Sequence, residues 1–132
     1  MMRRVFLFVI AVTLSAVTVA YAHHSYAATY DTSQEIKLAG KLVQFVYRNP
    51  HSFVHLEVAD DKGVPQRWAV EWSGGGQLAN QGVNKDSLKV GDQVVILGRP
   101  SRVPGEYRAL MVNLKRPSDG FTWGAREGER VD

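Results

Sequence analysis

Four histidines are the side chains of this sequence that are best suited to chemistry. His23 and His24 are adjacent, while His51 and His55 lie further along the chain. If the chain is cleaved after Ala22, His23 becomes the first residue, and both its α-amine and its imidazole can bind a metal near neutral pH. Nitrogen ligands in a tetragonal arrangement favour Cu(II), which also stands highest in the affinity order of the divalent first-row metals. The histidines therefore predict a copper site at the new terminus.

A second protein ligand is needed to complete such a site. His51 or His24 is the expected partner of His23, and His55 is a reserve ligand. On an extended strand His51 and His55 share one parity, but at a rise of about 3.3 Å per residue they stand roughly 13 Å apart. One ion therefore cannot easily contact both of them unless the strand bends.

Simpler roles for the same histidines remain open. A histidine pair at an exposed terminus binds some copper without any dedicated site. His51 follows Pro50 and can cap a turn, and His55 can pack beside Phe53 on an outward strand face. These interpretations predict histidines that serve the fold or the surface and bind no specific metal.

Residues 1–22 have the pattern of a secretory signal peptide. A short cationic start, MMRR, is followed by an apolar run and then by the small-x-small sequence AYA. A membrane anchor is the alternative, but it usually needs about 20 apolar residues, which is more than this run offers. We therefore expect a periplasmic or secreted protein with no membrane span after cleavage. The sequence contains no cysteine, which excludes disulfides, thiol nucleophiles and cysteine metal sites.

The charge of the cleaved chain is nearly balanced. The formal net charge of the full sequence is +3. Removing residues 1–22 takes away Arg3 and Arg4 and leaves 14 Lys and Arg against 13 Asp and Glu, a net charge of +1. Proteins that bind nucleic acids carry a basic patch or stripe. A nucleic-acid partner is therefore not expected.

Hydrophobic alternation places the histidines on a small all-β domain. Five segments alternate with the period that is typical of half-buried strands, and a glycine-bounded stretch around 77–81 is long enough for one or two helical turns. The strand segments are EIKLAGKLVQFVYRN, SFVHLEV, RWAVEW, QVVILGRP and EYRALMVNLKR. Five strands with one short helix between strands 3 and 4 are the layout of an oligonucleotide/oligosaccharide-binding (OB) barrel. A small β-sandwich is the alternative.

The five-stranded OB-like barrel is expected to occupy residues 35–116. Residues 23–34 show no sustained period and form an N-terminal arm, and residues 117–132 form a polar C-terminal tail. In the first strand the apolar residues change parity after Leu42. Gly40 is the point at which such a strand can bulge or coil.

Aromatic residues offer a second candidate surface. Tyr47, Phe53 and Tyr107 can line the outer face of the barrel, where OB folds stack flat ligands. Glu57 and Glu71 are candidate acceptors, either as extra metal ligands or as partners that hold a metal-binding histidine through its other nitrogen. Glu71 is also counted with Tyr47, Phe53 and Tyr107 as part of the candidate binding surface.

The mature chain resembles a family of small exported bacterial proteins, domain-of-unknown-function family 6152. The similarity rests on AHHSYAATYD, GKLVQFVYRNPHSFVHLEV, WAVEW and LKVGDQVVILGRP, and it spans nearly the whole mature chain. The resemblance implies an exported OB-like β-domain, and it implies no activity, substrate or catalytic residue. The residues that it places in the family's motifs are His23, His24, Asn49, Pro50, His51, Trp68 and Glu71.

Taken together, these patterns favour a small exported binding protein without enzymatic activity. Its ligand would be copper, held by the mature N-terminal histidine, and its partner an unknown periplasmic protein or small ligand. The first alternative is a metal-free periplasmic adaptor whose barrel binds a protein, a glycan or a small ligand. The second alternative is a copper oxidoreductase that uses the same histidines.

Overall fold

The computed structural model describes residues 26–124. A helical turn at 26–29 is followed by six strands and one short helix, numbered here in chain order. They are β1 (Ile36–Val46), β2 (Phe53–Ala59), β3 (Pro65–Glu71), α1 (Gly75–Asn80), β4 (Gln93–Pro100), β5 (Arg108–Arg116) and β6 (Phe121–Trp123). The order of the first five strands and the position of the helix agree with the sequence prediction.

The first five strands close into a mixed barrel. Strand β1 pairs antiparallel with β2 and with β4, while β2 pairs with β3 and β4 pairs with β5. A short parallel pairing between β3 and β5 closes the ring. This arrangement is OB-like and confirms the predicted fold. The β-sandwich alternative is wrong, because the strands form one continuous sheet that closes on itself.

Strand β1 is long enough to serve two neighbours. Its first half pairs with β4 and its second half with β2. The register with β2 skips Val43 directly after Leu42, and this bulge transfers the inward-facing parity to Phe45. The parity change in the sequence therefore reflects a bulge that lies beyond Gly40. At Gly40 itself a side chain would collide with the backbone carbonyl of Glu57.

The core fills the interior of the barrel. Leu78 of α1 is fully buried, and Val83 and Leu88 from the following loop are nearly so. Trp72, directly after β3, also belongs to the core cluster. The strands contribute its other members, namely Leu38, Leu42, Val54, Leu56, Val70, Val94, Ile96, Ala109, Met111 and Leu114. The alternation that turns these residues inward leaves the intervening residues of β1, β2 and β3 facing outward.

Two segments outside the barrel pack against it. Strand β6 pairs with β5, and Trp123 meets Trp72 edge to face with ring centroids 5.0 Å apart. This strand lies in the segment 117–132, where the sequence predicted a polar tail, because three residues are too few to show alternation. In the arm, Tyr30 is fully buried and forms a β-bridge with Ser101.

Within residues 26–124, no helix has the length and apolar character needed to cross a membrane. The predicted signal peptide, His23 and His24 lie outside the described residues. His51 lies in the loop between β1 and β2, and His55 lies within β2.

Candidate functional site

The outward faces of β1, β2 and β3 form an open cleft together with the start of β5. Its volume is about 430 Å³, which falls within the range of small-molecule sites. The lining residues are Gln44, Val46, Arg48, Phe53, His55, Ala69 and Arg108. Since the strand residues among them alternate with core residues, the strand pairing that builds the core also builds the cleft.

Cross-strand register sets the order of side chains along the cleft. In one row, His55 of β2 is opposite Gln44 of β1 on one side and Ala69 of β3 on the other. Ala69 is in turn opposite Arg108 of β5. Because the small side chain of Ala69 stands between His55 and Arg108, this row has a gap, and the gap deepens the cleft.

The loop between β1 and β2 positions His51 beside this face. Ser52 is fully buried, its hydroxyl donates to the backbone carbonyl of Arg48 at 3.1 Å, and its oxygen accepts from the backbone N–H of the same residue. The Asn49–Pro50 peptide within the loop is cis. These hydrogen bonds close a compact loop, so the sequence NPH presents His51 close to the end of β3.

Glu71, the last residue of β3, organises a cluster of polar groups at the side of the cleft. Its side chain is 10% exposed. Oε2 accepts hydrogen bonds from the Tyr30 hydroxyl and from Nη2 of Arg108 at 3.0 Å, and Oε1 lies 2.7 Å from Nδ1 of His51. Burial raises the pKa of Glu71, but the hydrogen bonds from these three residues outweigh it and leave the pKa below its ordinary value. Glu71 is therefore an anion in the folded protein.

Tyr30 of the arm also holds Arg108 in place. Nε of Arg108 donates to the Tyr30 hydroxyl oxygen at 2.9 Å. The guanidinium carbon lies 5.6 Å from the Tyr30 ring centroid and 5.9 Å from that of Phe53. Burial and the neighbouring Glu71 raise the pKa of Tyr30, so its hydroxyl keeps its proton and remains a donor.

A second guanidinium approaches Phe53 from the β1–β2 loop. The guanidinium carbon of Arg48 lies 5.5 Å from the Phe53 ring centroid, and its Nε donates to the backbone carbonyl of His51 at 3.2 Å. The rings of Phe53 and His55 lie close to parallel, with centroids 6.4 Å apart and an interplanar angle of 23°. The cleft therefore combines an aromatic ledge, Phe53 and His55, with two cations.

His51 uses one ring nitrogen to anchor itself. Because a carboxylate can only accept, Nδ1 of His51 carries a hydrogen and donates it to Glu71. The Tyr26 hydroxyl lies 2.9 Å from Nδ1 and 3.4 Å from Nε2, and the two rings are 5.5 Å apart. With Nδ1 protonated, Nε2 is the basic nitrogen of the ring. An outer carboxylate orients metal-binding histidines in this same way.

The two described histidines have different surroundings. His55 lines the cleft and stacks on Phe53, which is the packing expected if it serves a structural role. Burial and the charge of Arg67 lower the pKa of His55. Among residues 26–124, no three His, Cys, Asp or Glu side chains are grouped so that they would hold a metal ion. His23 and His24 lie outside this range.

Two aromatic residues of the predicted surface lie away from the cleft. Tyr47 packs against the core, and its hydroxyl donates to a backbone carbonyl of α1 at 2.6 Å. Tyr107 is partly exposed and meets Trp68 edge to face, with ring centroids 5.3 Å apart. The other predicted surface residues, Phe53 and Glu71, lie in the cleft lining and the adjoining cluster respectively.

The sequence patterns did not single out several residues of this site, among them Tyr30, Arg48 and Arg108. Alternation in the last predicted strand gives Arg108 a parity opposite to that of the buried Ala109, so its outward position was visible. Its contact with Glu71 depends on the parallel pairing of β3 with β5, which leaves no local signal. Tyr30 lies in the arm, where no periodicity marks a residue for burial.

Comparisons with known proteins give a family and a similar solved structure. A family model described as "Family of unknown function (DUF6152)" matches residues 11–109. No curated protein matches the chain. Among solved structures, the mitochondrial single-stranded DNA binding protein Rim1 from S. cerevisiae is similar with a TM-score of 0.45 and 7% identity. That alignment covers 62% of this chain and 91% of the other.

Proposed function

The chain belongs to the DUF6152 family, whose function is unknown, and from its own site we propose that it is a small exported protein that binds copper. The proposed ligands are His23, through its α-amine and imidazole, and His51, through Nε2. His24 is the alternative partner of His23, and His55 is the reserve ligand. The proposal requires no enzymatic activity of the protein itself.

The observation that carries the proposal is the hydrogen bond from Nδ1 of His51 to Glu71. A carboxylate in this position fixes the tautomer and the orientation of the imidazole and makes its other nitrogen a better ligand. Arg108 and Tyr30 hold Glu71 in place. His51 therefore has the supporting partners that a metal ligand needs, and a histidine that only caps a turn does not need them.

Chain length supports the pairing of His51 with the N-terminal histidines. Tyr26 contacts the ring of His51. His23 precedes Tyr26 by three residues, and three residues span at most about 10 Å of chain. A chain of this length allows the α-amine and imidazole of His23 to reach the His51 ring, and the three nitrogens would match the preference of Cu(II).

A Cu(II) titration of the chain that begins at His23 tests this proposal. The affinity is measured by competition with a chelator, and the coordination by electron paramagnetic resonance. His51→Ala is expected to weaken binding by at least about tenfold. His55→Ala removes the reserve ligand and is expected to weaken binding less than His51→Ala does. Lys62→Gln, in the exposed β2–β3 loop, is the control and is expected to leave the affinity and the spectrum unchanged.

Two outcomes of this titration would overturn the proposal. One is an unchanged affinity in His51→Ala, which would leave only the adventitious binding of a terminal histidine. The other is an unchanged affinity when an extra alanine precedes His23, because the α-amine would then not be a ligand. Consumption of oxygen and reductant faster than by free copper would instead favour the copper oxidoreductase.

Export is part of the same proposal. Intact-mass spectrometry of the protein recovered from the periplasm or the medium is expected to give the mass of a chain that begins at His23. Recovery of a chain that begins at Met1, in the membrane or cytoplasmic fraction, would contradict both cleavage and the proposed ligand.

A metal-free function of the barrel face is the second candidate, and the cleft is the observation that favours it. The cleft has its own lining and does not include His51. Such a protein would bind a protein partner, a glycan or a small ligand on this face. His51→Ala is expected to leave this function intact, which separates the two candidates.

A further inference from the structure

We propose that the cleft binds small planar anions, and that aromatic carboxylates are the class that fits it. The inference deepens the second candidate function and rests on it, and it does not require copper. Four lining residues carry it: Arg48 and Arg108 supply positive charge, and Phe53 and His55 supply the aromatic ledge.

Positive charge dominates the cleft. Among the described residues that line it, two are arginines and none is Asp or Glu. A third guanidinium stands close by, since Nη2 of Arg67 donates to Oε1 of Gln44 at 3.2 Å. The neighbouring Glu71 is largely buried, and both of its oxygens accept hydrogen bonds from the surrounding cluster. An anion in the cleft would therefore meet cations and no competing carboxylate in the lining.

The two arginines differ in how freely they can bind an anion. Arg108 uses Nε and Nη2 for Tyr30 and Glu71, but a guanidinium has five N–H donors. Arg48 is exposed, and its one described side-chain hydrogen bond uses Nε. Its two terminal nitrogens can form a bidentate contact with a carboxylate, which is the strongest form of this interaction. Arg48 is thus the main contact for the anion, and Arg108 is a fixed part of the cleft lining.

The shape of the cleft favours a flat ligand. The near-parallel rings of Phe53 and His55 form a ledge on which a third ring can stack. The gap above Ala69 lies directly beside His55 in the cross-strand row. A single aromatic ring with one carboxylate suits a cleft of about 430 Å³.

Titrations with three probes, followed by NMR chemical shifts of the metal-free mature protein, test this inference. The probes are benzoate, neutral benzamide, and cyclohexanecarboxylate, which has the charge without the planar ring. Benzoate is expected to shift the amides of His55 and Ala69 and to bind at least about tenfold more tightly than either control. Arg48→Gln is expected to weaken benzoate binding about tenfold. Lys62→Gln, which removes one exposed charge from the β2–β3 loop, is the matched control and should leave it unchanged.

Ala69→Leu separates failure of the ligand class from failure of the site. The larger side chain is expected to fill the gap and abolish benzoate binding, while circular dichroism shows a retained fold. If benzamide binds as tightly as benzoate and Ala69→Leu abolishes both, the cleft is a binding site but the anion class is wrong. If benzoate binding survives Ala69→Leu, or if no probe shifts His55 and Ala69, the inference fails. The second candidate function fails only if Ala69→Leu also leaves the binding of a protein or glycan partner unchanged. Should Ala69→Leu not fold, the Arg48→Gln and Lys62→Gln pair decides the anion class, and the shifts in the unaltered protein decide the site.

Discussion

Two arginine–carboxylate clusters in this barrel have similar chemistry and opposite arrangements. In the first, the carboxylate of Glu71 is the more buried member at 10% exposure, and Arg108 is 36% exposed. In the second, the cation is more buried: Arg116 is 15% exposed, while its partners Asp92 and Asp119 are 23% and 52% exposed. The first cluster therefore turns hydrogen-bond donors outward, and the second turns acceptors outward.

The two clusters also differ in the distance along the chain that they bridge. Arg116 pairs with Asp119 three residues later, across the turn between β5 and β6, and with Asp92 in the loop before β4. Glu71 joins the arm, the β1–β2 loop and the start of β5. The second cluster joins the β5–β6 turn to the loop before β4, whereas the first builds the surface on which both proposed functions depend. Burial of the anion is the feature on which both proposals rest.

Among the changes that test this comparison, removal of the Glu71 carboxylate should lower the free energy of unfolding most. Glu71→Ala leaves the buried Tyr30 hydroxyl and the half-buried Arg108 guanidinium without their acceptor. We expect a loss of about 3 kcal/mol in the free energy of unfolding, measured by urea denaturation. A loss below about 1 kcal/mol would mean that water readily replaces the carboxylate and solvates the remaining groups of the cluster.

Lowering the pH is expected to have a smaller effect on the free energy of unfolding. The pKa of Glu71 is below its ordinary value of 4.5, so the unfolded chain binds this proton at a higher pH than the folded protein does. The stability that Glu71 contributes is therefore present above about pH 4.5 and is lost as the pH falls through the folded pKa. Urea denaturation of the native protein and of Glu71→Gln between pH 7 and pH 3 should show a difference that shrinks as the pH falls.

The second cluster provides the internal control for that experiment. Hydrogen bonds and charge from Arg116 lower the pKa of Asp119 to about 2. Because this carboxylate is present in both the native protein and Glu71→Gln, its titration cancels in the difference between them. A difference that stays constant over the whole pH range would show that Glu71 titrates alike in the folded and unfolded chains.

The smallest effect is expected for the exposed member of the second cluster. Asp119→Ala removes an acceptor that is half exposed, and exposed ion pairs contribute little because water and salt screen them. We expect a loss in the free energy of unfolding that is much smaller than that of Glu71→Ala, and a still smaller one in 0.5 M salt. A loss comparable to that of Glu71→Ala would remove the distinction between the two clusters.

The barrel was largely predictable from the sequence, because strand alternation is local. The parity change within β1 was visible, although its cause is the bulge at Val43 and not Gly40. Strand β6 was not predictable, since three residues carry no period and its pairing depends on β5. Local patterns thus recover the elements that fill the core and miss those that are added at its edge.

The site was predictable only in part, because its members come from distant segments. Glu71 and His51 were singled out by residue type, and Glu71 was expected as a histidine partner. Tyr30 and Arg108 were missed because their meeting depends on the closure of the barrel, which no local pattern encodes. The copper ligands His23 and His24 stay predictions, and the titrations above decide them.

The contact between Tyr30 and Arg108 has a consequence for how the chain is made. The two residues are separated by 78 positions, and Tyr30 is the earlier one to be synthesised. A chain that emerges with its N-terminus first can therefore seat this tyrosine only after most of the barrel strands have followed. The cluster around Glu71 can form only after β5 has been synthesised. A nascent chain that ends before Arg108 therefore cannot form the complete surface.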